Sequence, residues 1–258
     1  MPTSSDMAIE PPSEWMTWTP SDGIELGSHD VHIWSLDLEA LGAFESAFYR
    51  HLSDDERERA ARLRVARKRI EYVVVRASLR ACLATVLRAA PTDIVFRFAE
   101  HGKPALDAST EPLHFNVSHS HHRALIAITR RCELGIDIEK VREDIDTLAL
   151  ATRFFSPLEH QILASLPPSQ QRNAFFDCWA RKEAVIKCDG RGVSAGLDQF
   201  DVSLRPNEPA RLLRTAWHPP DAFQWNLTAL DVGSDYHAAL AIRTQTFALR
   251  RWHFAGFA

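Results

Sequence analysis

Short stretches of alternating apolar and polar residues are separated along this chain by longer stretches with helical spacing. Alternation predicts strands, and apolar residues three or four positions apart, bounded by capping or breaking residues, predict helices. The predicted strands cover about 31–38, 94–98, 113–117, 124–129, 134–139, 199–204, 211–217, 223–231, 236–243 and 247–252. The predicted helices cover about 53–69, 68–89, 147–155, 157–165 and 169–187. Elements mixed in this way are typical of an α+β fold.

The order of the predicted elements repeats, and the repeat predicts two similar halves. Each half runs strand, helices, strands. We therefore expect an extended lead-in over 1–28, an N-terminal α+β half over 29–130 and a C-terminal α+β half over 131–258. The lead-in is rich in Pro, Ser, Asp and Glu, and we expect Trp15 and Trp18 to hold it against the body.

Composition narrows the function classes. Of the 258 residues, 45% are hydrophobic and 25% charged, with a mean hydropathy of −0.22, which is ordinary for a soluble protein. A net charge of −4 argues against a dedicated nucleic-acid binder. No apolar run approaches the roughly 20 residues of a membrane span, and the N-terminus lacks the order of a signal peptide. The four cysteines form no Cys-x-x-Cys pair, so we expect free thiols in a cytoplasmic protein.

Two carboxylates lie close together in the segment Gly135-Ile-Asp-Ile-Glu. On a strand, Asp137 and Glu139 share one face, while Ile136 and Ile138 point the other way. Neighbouring carboxylates repel each other unless a hard cation lies between them, and Mg²⁺ suits one or two carboxylates together with phosphate oxygens. A solvated strand face that carries two acids is the alternative at this point.

The last predicted helix carries a stripe of Trp179, Glu183 and Lys187 at i, i+4 and i+8. An exposed Glu–Lys pair on an amphipathic helix is one interpretation. However, Trp179 makes the stripe partly apolar, and charged groups on a half-buried face need partners. A metal ion for Glu183 and a phosphate for Lys187 would satisfy both.

Three histidines lie in the segment Ser118-His-Ser-His-His, which we predict to be a loop between two strands. Zinc is one possible ligand, but adjacent loop histidines seldom supply a whole metal site. The favoured alternative is an anion, bound by Ser118 and His119, with His121 and His122 as solvated turn residues. Lys103, in the turn Gly102-Lys-Pro, is a weaker candidate for the same role.

The segment 56–80 carries nine Lys or Arg residues against three Glu. A single basic segment in an acidic chain indicates a local anionic ligand rather than a track for a polyanion. A solvated amphipathic helix is the alternative interpretation.

Five segments, in this order, resemble the Sfp-type 4′-phosphopantetheinyl transferases. They are Gly102-Lys-Pro, Asn116-Val-Ser-His-Ser, Gly135-Ile-Asp-Ile-Glu, Phe154-Phe-Ser with Glu159, and Trp179-x-x-Lys-Glu-Ala-x-x-Lys. The resemblance implies a pseudo-dimer of two α+β halves with the active site in the cleft between them. It also implies Mg²⁺-dependent transfer of 4′-phosphopantetheine from coenzyme A to a serine of an apo acyl or peptidyl carrier protein, with release of 3′,5′-ADP.

A Mg²⁺-dependent phosphate-ester hydrolase and a non-catalytic coenzyme A- or carrier-binding module are the alternatives. The resemblance further implies a monomer, while the charge and hydropathy described above predict that it binds neither nucleic acid nor membrane. The carrier could belong to fatty acid biosynthesis or to secondary metabolite biosynthesis of the polyketide or non-ribosomal peptide kind.

The resemblance also implies roles for individual residues at the reacting centre. Asp137, Glu139 and Glu183 match the carboxylates that hold Mg²⁺ in the family. Lys187 matches the lysine beside the pyrophosphate and the attacking serine, so Glu183 and Lys187 are the expected catalytic residues. Because the serine hydroxyl must lose a proton, Glu183 is the expected acceptor, either directly or through a metal-bound water.

For coenzyme A, Ser118 and His119 match residues that hold the phosphates, and Lys103 matches a lysine at the adenine nucleotide end. One departure concerns the helix of the basic segment. Nine positions before Arg80, where the family carries a basic residue, this chain has Glu71. The 3′-phosphate contact is therefore expected from one or more of Arg64, Arg67, Lys68 and Arg69.

Overall fold

The computed structural model describes residues 14–98, 103–107, 112–192, 196–217, 222 and 224–257. The first 13 residues of the expected lead-in and Gly102 lie outside the described residues. The helices are α1 (Leu38–Gly42), α2 (Glu45–Tyr49), α3 (Asp54–Arg62), α4 (Ala66–Leu87), α5 (Thr147–Phe154), α6 (Pro157–Ser165) and α7 (Pro168–Asp189). No helix in these ranges is both long and apolar enough to cross a membrane.

The strands form two main sheets and two small strand pairs within the described ranges. The strands are β1 (Met16–Trp18), β2 (Asp30–Asp37), β3 (Phe96–Phe98), β4 (Pro104–Leu106), β5 (His114–Ser120), β6 (Arg123–Thr129), β7 (Leu134–Lys140), β8 (Phe200–Val202), β9 (Leu212–Thr215), β10 (Asn226–Leu230), β11 (Tyr236–Ile242) and β12 (Ala248–Phe254). The larger sheet has the order β1-β12-β2-β6-β5 and the smaller one β10-β11-β7. The α+β class is confirmed.

The chain is layered as helix, sheet, sheet, helix. Helix α4 packs on the outer face of the larger sheet, and α7 packs on the outer face of the smaller one. The two sheets pack face to face through apolar residues such as Ile33, Leu125, Ile136 and Leu240, all fully buried. Strand β7 is an edge of the smaller sheet, and β5 is an edge of the larger one. These two edge strands lie against each other beside this core.

Strand β12 belongs to the sheet of the first half, although it comes last in the chain. It pairs in parallel with both β1 and β2. The segment 131–258 therefore completes the sheet of the segment before it. Trp18 of β1 is buried against Trp34 and Phe254, and the Trp15 ring stacks on His253, so both tryptophans hold the lead-in as expected.

Two differences between the predicted elements and the structure bear on the site. The helix that begins after Ser53 ends at Arg62 rather than continuing through Arg69, because Leu63 and Val65 adopt extended backbone angles before α4 begins. The segment predicted as a loop from Ser118 to His122 is strand as far as Ser120. Its last residues pair with Leu125, Ala124 and Arg123 of β6, which leaves a turn of only two residues.

Candidate active site

Strand β7 separates apolar from acidic residues, as its alternation predicts. Ile136 and Ile138 are buried between the two sheets. Asp137 and Glu139 point to the opposite face, toward α7. The side chain of Asp137 is only 3% exposed, so a solvated acidic strand face, the alternative interpretation, is wrong for this residue.

Gly135 lets α7 lie directly on this face of β7. A Cβ atom at Gly135 would stand 2.1 Å from the carbonyl oxygen of Ala184 and 2.4 Å from the amide nitrogen of Cys188. Both atoms belong to the backbone of α7, so no side chain can move aside to make room. Any residue larger than glycine would therefore separate the helix from the strand.

The close approach of α7 brings Lys187 onto the acidic face. Its Nζ donates hydrogen bonds to Asp137 Oδ1 at 2.5 Å and to Ser118 Oγ at 3.0 Å. Ser118 Oγ in turn donates to Asp137 Oδ1 at 2.8 Å. The other carboxylate oxygen, Asp137 Oδ2, is buried and has no hydrogen-bond partner among the described residues.

Burial and mutual repulsion change the pKa values of two further carboxylates beside Asp137. Burial, together with the charge of Asp137, raises the pKa of Glu139 to about 7. The same two causes raise the pKa of Glu183. Each acid is harder to ionise because burial removes its carboxylate from water and because Asp137 beside it is negative. In the described part of the chain, no three His, Cys, Asp or Glu side chains converge closely enough to hold a metal ion as they stand.

Two other residues of α7, Trp179 and Lys182, make their contacts in the core of the protein. The Trp179 ring packs against Phe154, Phe155 and Phe175, so this end of the predicted stripe is structural. The sequence alone gave no role to Lys182, which is completely buried. Its Nζ donates to Glu159 Oε1 at 2.7 Å and to the carbonyl oxygen of Phe200 at 2.6 Å.

His119 lies on the opposite face of β5 from Ser118, because side chains alternate along the strand that replaces the predicted loop. It borders a cavity of about 360 Å³ between α3, α4 and β5. The cavity is lined by Asp55, Glu56, Arg59, Lys68, Glu71, Tyr72, Val75, Arg76, Val117 and His119. Sequence reasoning missed Arg59 and Arg76, although both lie in the basic segment.

The four basic residues expected near a 3′-phosphate are placed differently from one another. Arg67 and Lys68 bind Glu71 at 2.7 and 2.9 Å, so the acid that departs from the family pattern is neutralised locally. Only Lys68 of the four borders the cavity just described. Arg69 binds Glu45 instead, and Arg64 is exposed between α3 and α4.

Lys103 lies beside the end of α7, and the two remaining histidines of the predicted loop lie in a turn. Lys103 Nζ donates to Glu133 Oε2 at 2.6 Å and to the carbonyl oxygen of Lys187 at 2.9 Å, so it fastens the end of α7. His121 and His122 form the turn after β5. They and His119 build no metal cluster within the described ranges.

Comparison with known proteins gives matches over both halves of the chain. Residues 133–241 match the family model of the 4′-phosphopantetheinyl transferase superfamily. Residues 43–131 match the model described as 4′-phosphopantetheinyl transferase, N-terminal. The two matched regions meet near residue 132 and correspond to a two-domain architecture.

Individual relatives extend this similarity over nearly the whole chain. The 4′-phosphopantetheinyl transferase HetI of Nostoc sp. is 34% identical over 241 residues, which cover 92% of this chain and 98% of that protein. The 4′-phosphopantetheinyl transferase Sfp of Bacillus subtilis is 35% identical over 129 residues, 50% of this chain and 56% of that one. The chain therefore belongs to the 4′-phosphopantetheinyl transferase family of enzymes, which confirms the resemblance inferred from its motifs.

Proposed function

We propose that this transferase takes 4′-phosphopantetheine from coenzyme A and attaches it to a serine of an apo acyl or peptidyl carrier protein, with Mg²⁺ bound at the acidic face of β7. The observation that carries the proposal is a group of mutually interacting charged side chains where α7 crosses β7, namely Asp137, Glu139, Glu183 and Lys187. Three carboxylates and one ammonium group on a half-buried surface suit a metal ion and a phosphate together.

The residues present fit Mg²⁺. Asp137 Oδ2 is a buried oxygen without a partner among the described residues, and such an atom is costly unless a ligand satisfies it. Burial and the charge of Asp137 raise the pKa values of Glu139 and Glu183, so a bound cation would favour their ionised forms. Oxygen donors of this kind are the ligands that Mg²⁺ prefers. When bound, the ion would act as a Lewis acid toward the pyrophosphate oxygens.

The chain's own residues supply the remaining chemistry. The serine Oγ of the carrier attacks the β-phosphorus of coenzyme A, the bond from that phosphorus to the bridging oxygen breaks, and 3′,5′-ADP leaves with the bond electrons. Glu183 is the proposed acceptor of the serine proton, because α7 carries its carboxylate one turn before Lys187 on the same side of the helix. Lys187 stabilises the negative charge that develops on the phosphate oxygens.

We place the adenosine 3′-phosphate end of coenzyme A in the cavity beside His119. Three cationic side chains line this cavity, Arg59, Lys68 and Arg76, beside three acidic ones, Asp55, Glu56 and Glu71. Guanidinium and ammonium groups are the usual phosphate partners, so a bound 3′-phosphate would take over part of the pairing that these acids supply. The Arg59 guanidinium lies 5.3 Å from the centre of the Tyr72 ring. The cavity is about 360 Å³ in volume, which accommodates part of the nucleotide rather than the whole coenzyme.

The test is the intact mass of an apo carrier protein after incubation with this enzyme, coenzyme A and Mg²⁺, with EDTA in a parallel sample. We expect a gain of one phosphopantetheine group that EDTA abolishes. Asp137→Ala and Glu183→Ala should each abolish the gain while the protein stays folded. The control Glu25→Ala removes an exposed carboxylate between β1 and β2 and should leave transfer intact.

Other outcomes would contradict the proposal. Near-normal transfer by Asp137→Ala or Glu183→Ala would remove the metal assignment. Release of 3′,5′-ADP without a carrier would favour hydrolysis, and coenzyme A binding without transfer to any carrier class would favour a binding module. That the enzyme is a cytoplasmic monomer stays a prediction. Gel filtration tests whether it is a monomer.

A further inference from the structure

Side chains of β5 replace backbone groups where this strand meets the free edge of β7. Every second residue of β5 offers an oxygen to every second backbone N–H of β7. The bonds join Asn116 Oδ1 to the Ile136 nitrogen at 2.9 Å, Ser118 Oγ to the Ile138 nitrogen at 3.4 Å, and Ser120 Oγ to the Lys140 nitrogen at 3.1 Å. We refer to these three bonds as the side-chain ladder. It links the edges of the two sheets at the acidic face.

The last rung of the ladder differs from the first. Asn116 Oδ1 accepts from the backbone of β7, whereas the Ser120 hydroxyl also donates to a side chain, Glu139 Oε2, at 3.0 Å. A serine hydroxyl has one proton to donate. Since the Lys140 N–H approaches the oxygen of Ser120 as a donor, the hydroxyl proton is left for Glu139. The ladder thus fixes the position of the oxygen, and the oxygen fixes one side of the Glu139 carboxylate.

We infer that Ser120 is a positioning residue that holds the Glu139 carboxylate in the orientation required to bind Mg²⁺ beside Asp137. The inference rests on the proposed function, because it takes Glu139 to be a Mg²⁺ ligand. A free glutamate side chain samples several rotamers, and a ligand must select one of them at an entropic cost. A hydrogen bond from a fixed hydroxyl removes part of that cost before the ion arrives, as is common for groups that support metal ligands.

Calorimetric titration of Mg²⁺ into the complex of enzyme and coenzyme A, without carrier, tests the inference. Ser120→Ala should weaken Mg²⁺ binding by about 10-fold, the lower end of the range for loss of a group that supports a metal ligand. The Mg²⁺ concentration that gives half-maximal transfer should rise in parallel. The rate at saturating Mg²⁺ and the KM for coenzyme A should change little. Ser120→Thr keeps the hydroxyl and should restore the binding.

Thr129→Val is the matched control. Thr129 Oγ1 donates to the carbonyl oxygen of Asp30 at 2.7 Å, between β6 and β2 and away from the carboxylates. This variant also loses a hydroxyl that links strands, so it should reduce stability yet leave Mg²⁺ affinity unchanged. Equal weakening in both variants would mean that Ser120 acts only through general loosening, which would overturn the inference.

The remaining outcomes separate the inference from the proposed function. Wild-type Mg²⁺ affinity in Ser120→Ala would overturn the positioning role and leave the metal site in place. A wild-type enzyme that neither binds nor requires Mg²⁺ would refute the metal part of the proposed function and the inference together.

Discussion

Replacing Gly135 by alanine should uncouple α7 from β7. A Cβ at this position would come within 2.1 Å of one backbone atom of α7 and 2.4 Å of another, whereas ordinary contact begins at 3.4 Å. Relief requires the helix to move away by about 1 Å, since backbone atoms cannot rotate aside. Overpacking of this kind costs about 1–3 kcal/mol, and we expect about 3 kcal/mol because both contacts are backbone.

The same movement should slow the reaction. Glu183 and Lys187 are both carried by α7, and Lys187 lies only 2.5 Å from Asp137. A displacement of about 1 Å of reacting groups can cost roughly 100-fold in rate. We therefore expect kcat to fall by about that factor, while the KM for coenzyme A changes little because its proposed cavity lies on the α4 side.

Urea unfolding and transfer followed by intact mass measure the two effects. Gly233→Ala is the control, because a Cβ there would have no neighbour within 4 Å and only the positive φ of 96° is strained. That variant should lose about 1 kcal/mol and keep its kcat. Gly135 does not have a positive φ. If it were not in close contact, alanine would stabilise the protein by about 0.4–1 kcal/mol. Such a gain with normal kcat would refute the reasoning.

Two further predictions concern buried ionisable side chains. Lys182→Met should lower the free energy of unfolding by about 3–5 kcal/mol, because it leaves Glu159, whose side chain is 1% exposed, without its counter-ion. The control Arg62→Met breaks an exposed helical pair and should cost less than about 1 kcal/mol; equal losses in urea unfolding would contradict this. Burial lowers the pKa of His32 to about 4, and the indole N–H of Trp252 donates to its Nδ1 at 3.2 Å. The folded state therefore favours neutral His32. This preference contributes fully to the free energy of unfolding above pH 6.5, and the contribution is lost as the pH falls to 4. This loss of about 3 kcal/mol should be absent from the pH profile of His32→Leu, and identical profiles would contradict the assignment.

Local patterns predicted much of the fold and the acidic half of the site. Alternation along β7 placed Asp137 and Glu139 on one face, because side chains of any strand alternate in this way. The capping box of Ser156 and Glu159 at the start of α6 is equally local, since its hydrogen bonds span only three residues. Features of this kind depend on neighbours in the chain and can be read from the chain.

Local patterns were misleading where a strand continued through polar residues. Ser118 and His119 were expected to bind the same ligand from a loop. The pairing of β5 with β6 extends the strand through both, so they face opposite sides, one toward Asp137 and the other toward the cavity at α4. In a sequence, polar residues at the end of a strand look like a loop. The sequence of one strand does not show how far its pairing with a neighbouring strand extends.

The α+β class, the candidate residues for phosphate and Mg²⁺ chemistry, and the family could all be inferred from the amino-acid sequence. Three features became visible only in the packed molecule: β12 completes the first sheet, Glu159 and Lys182 neutralise each other in the core, and Gly135 sets the distance between α7 and β7. Each of these depends on atoms that are remote in the chain and close in space. Such contacts follow from the packing of whole elements, and no local spacing encodes them.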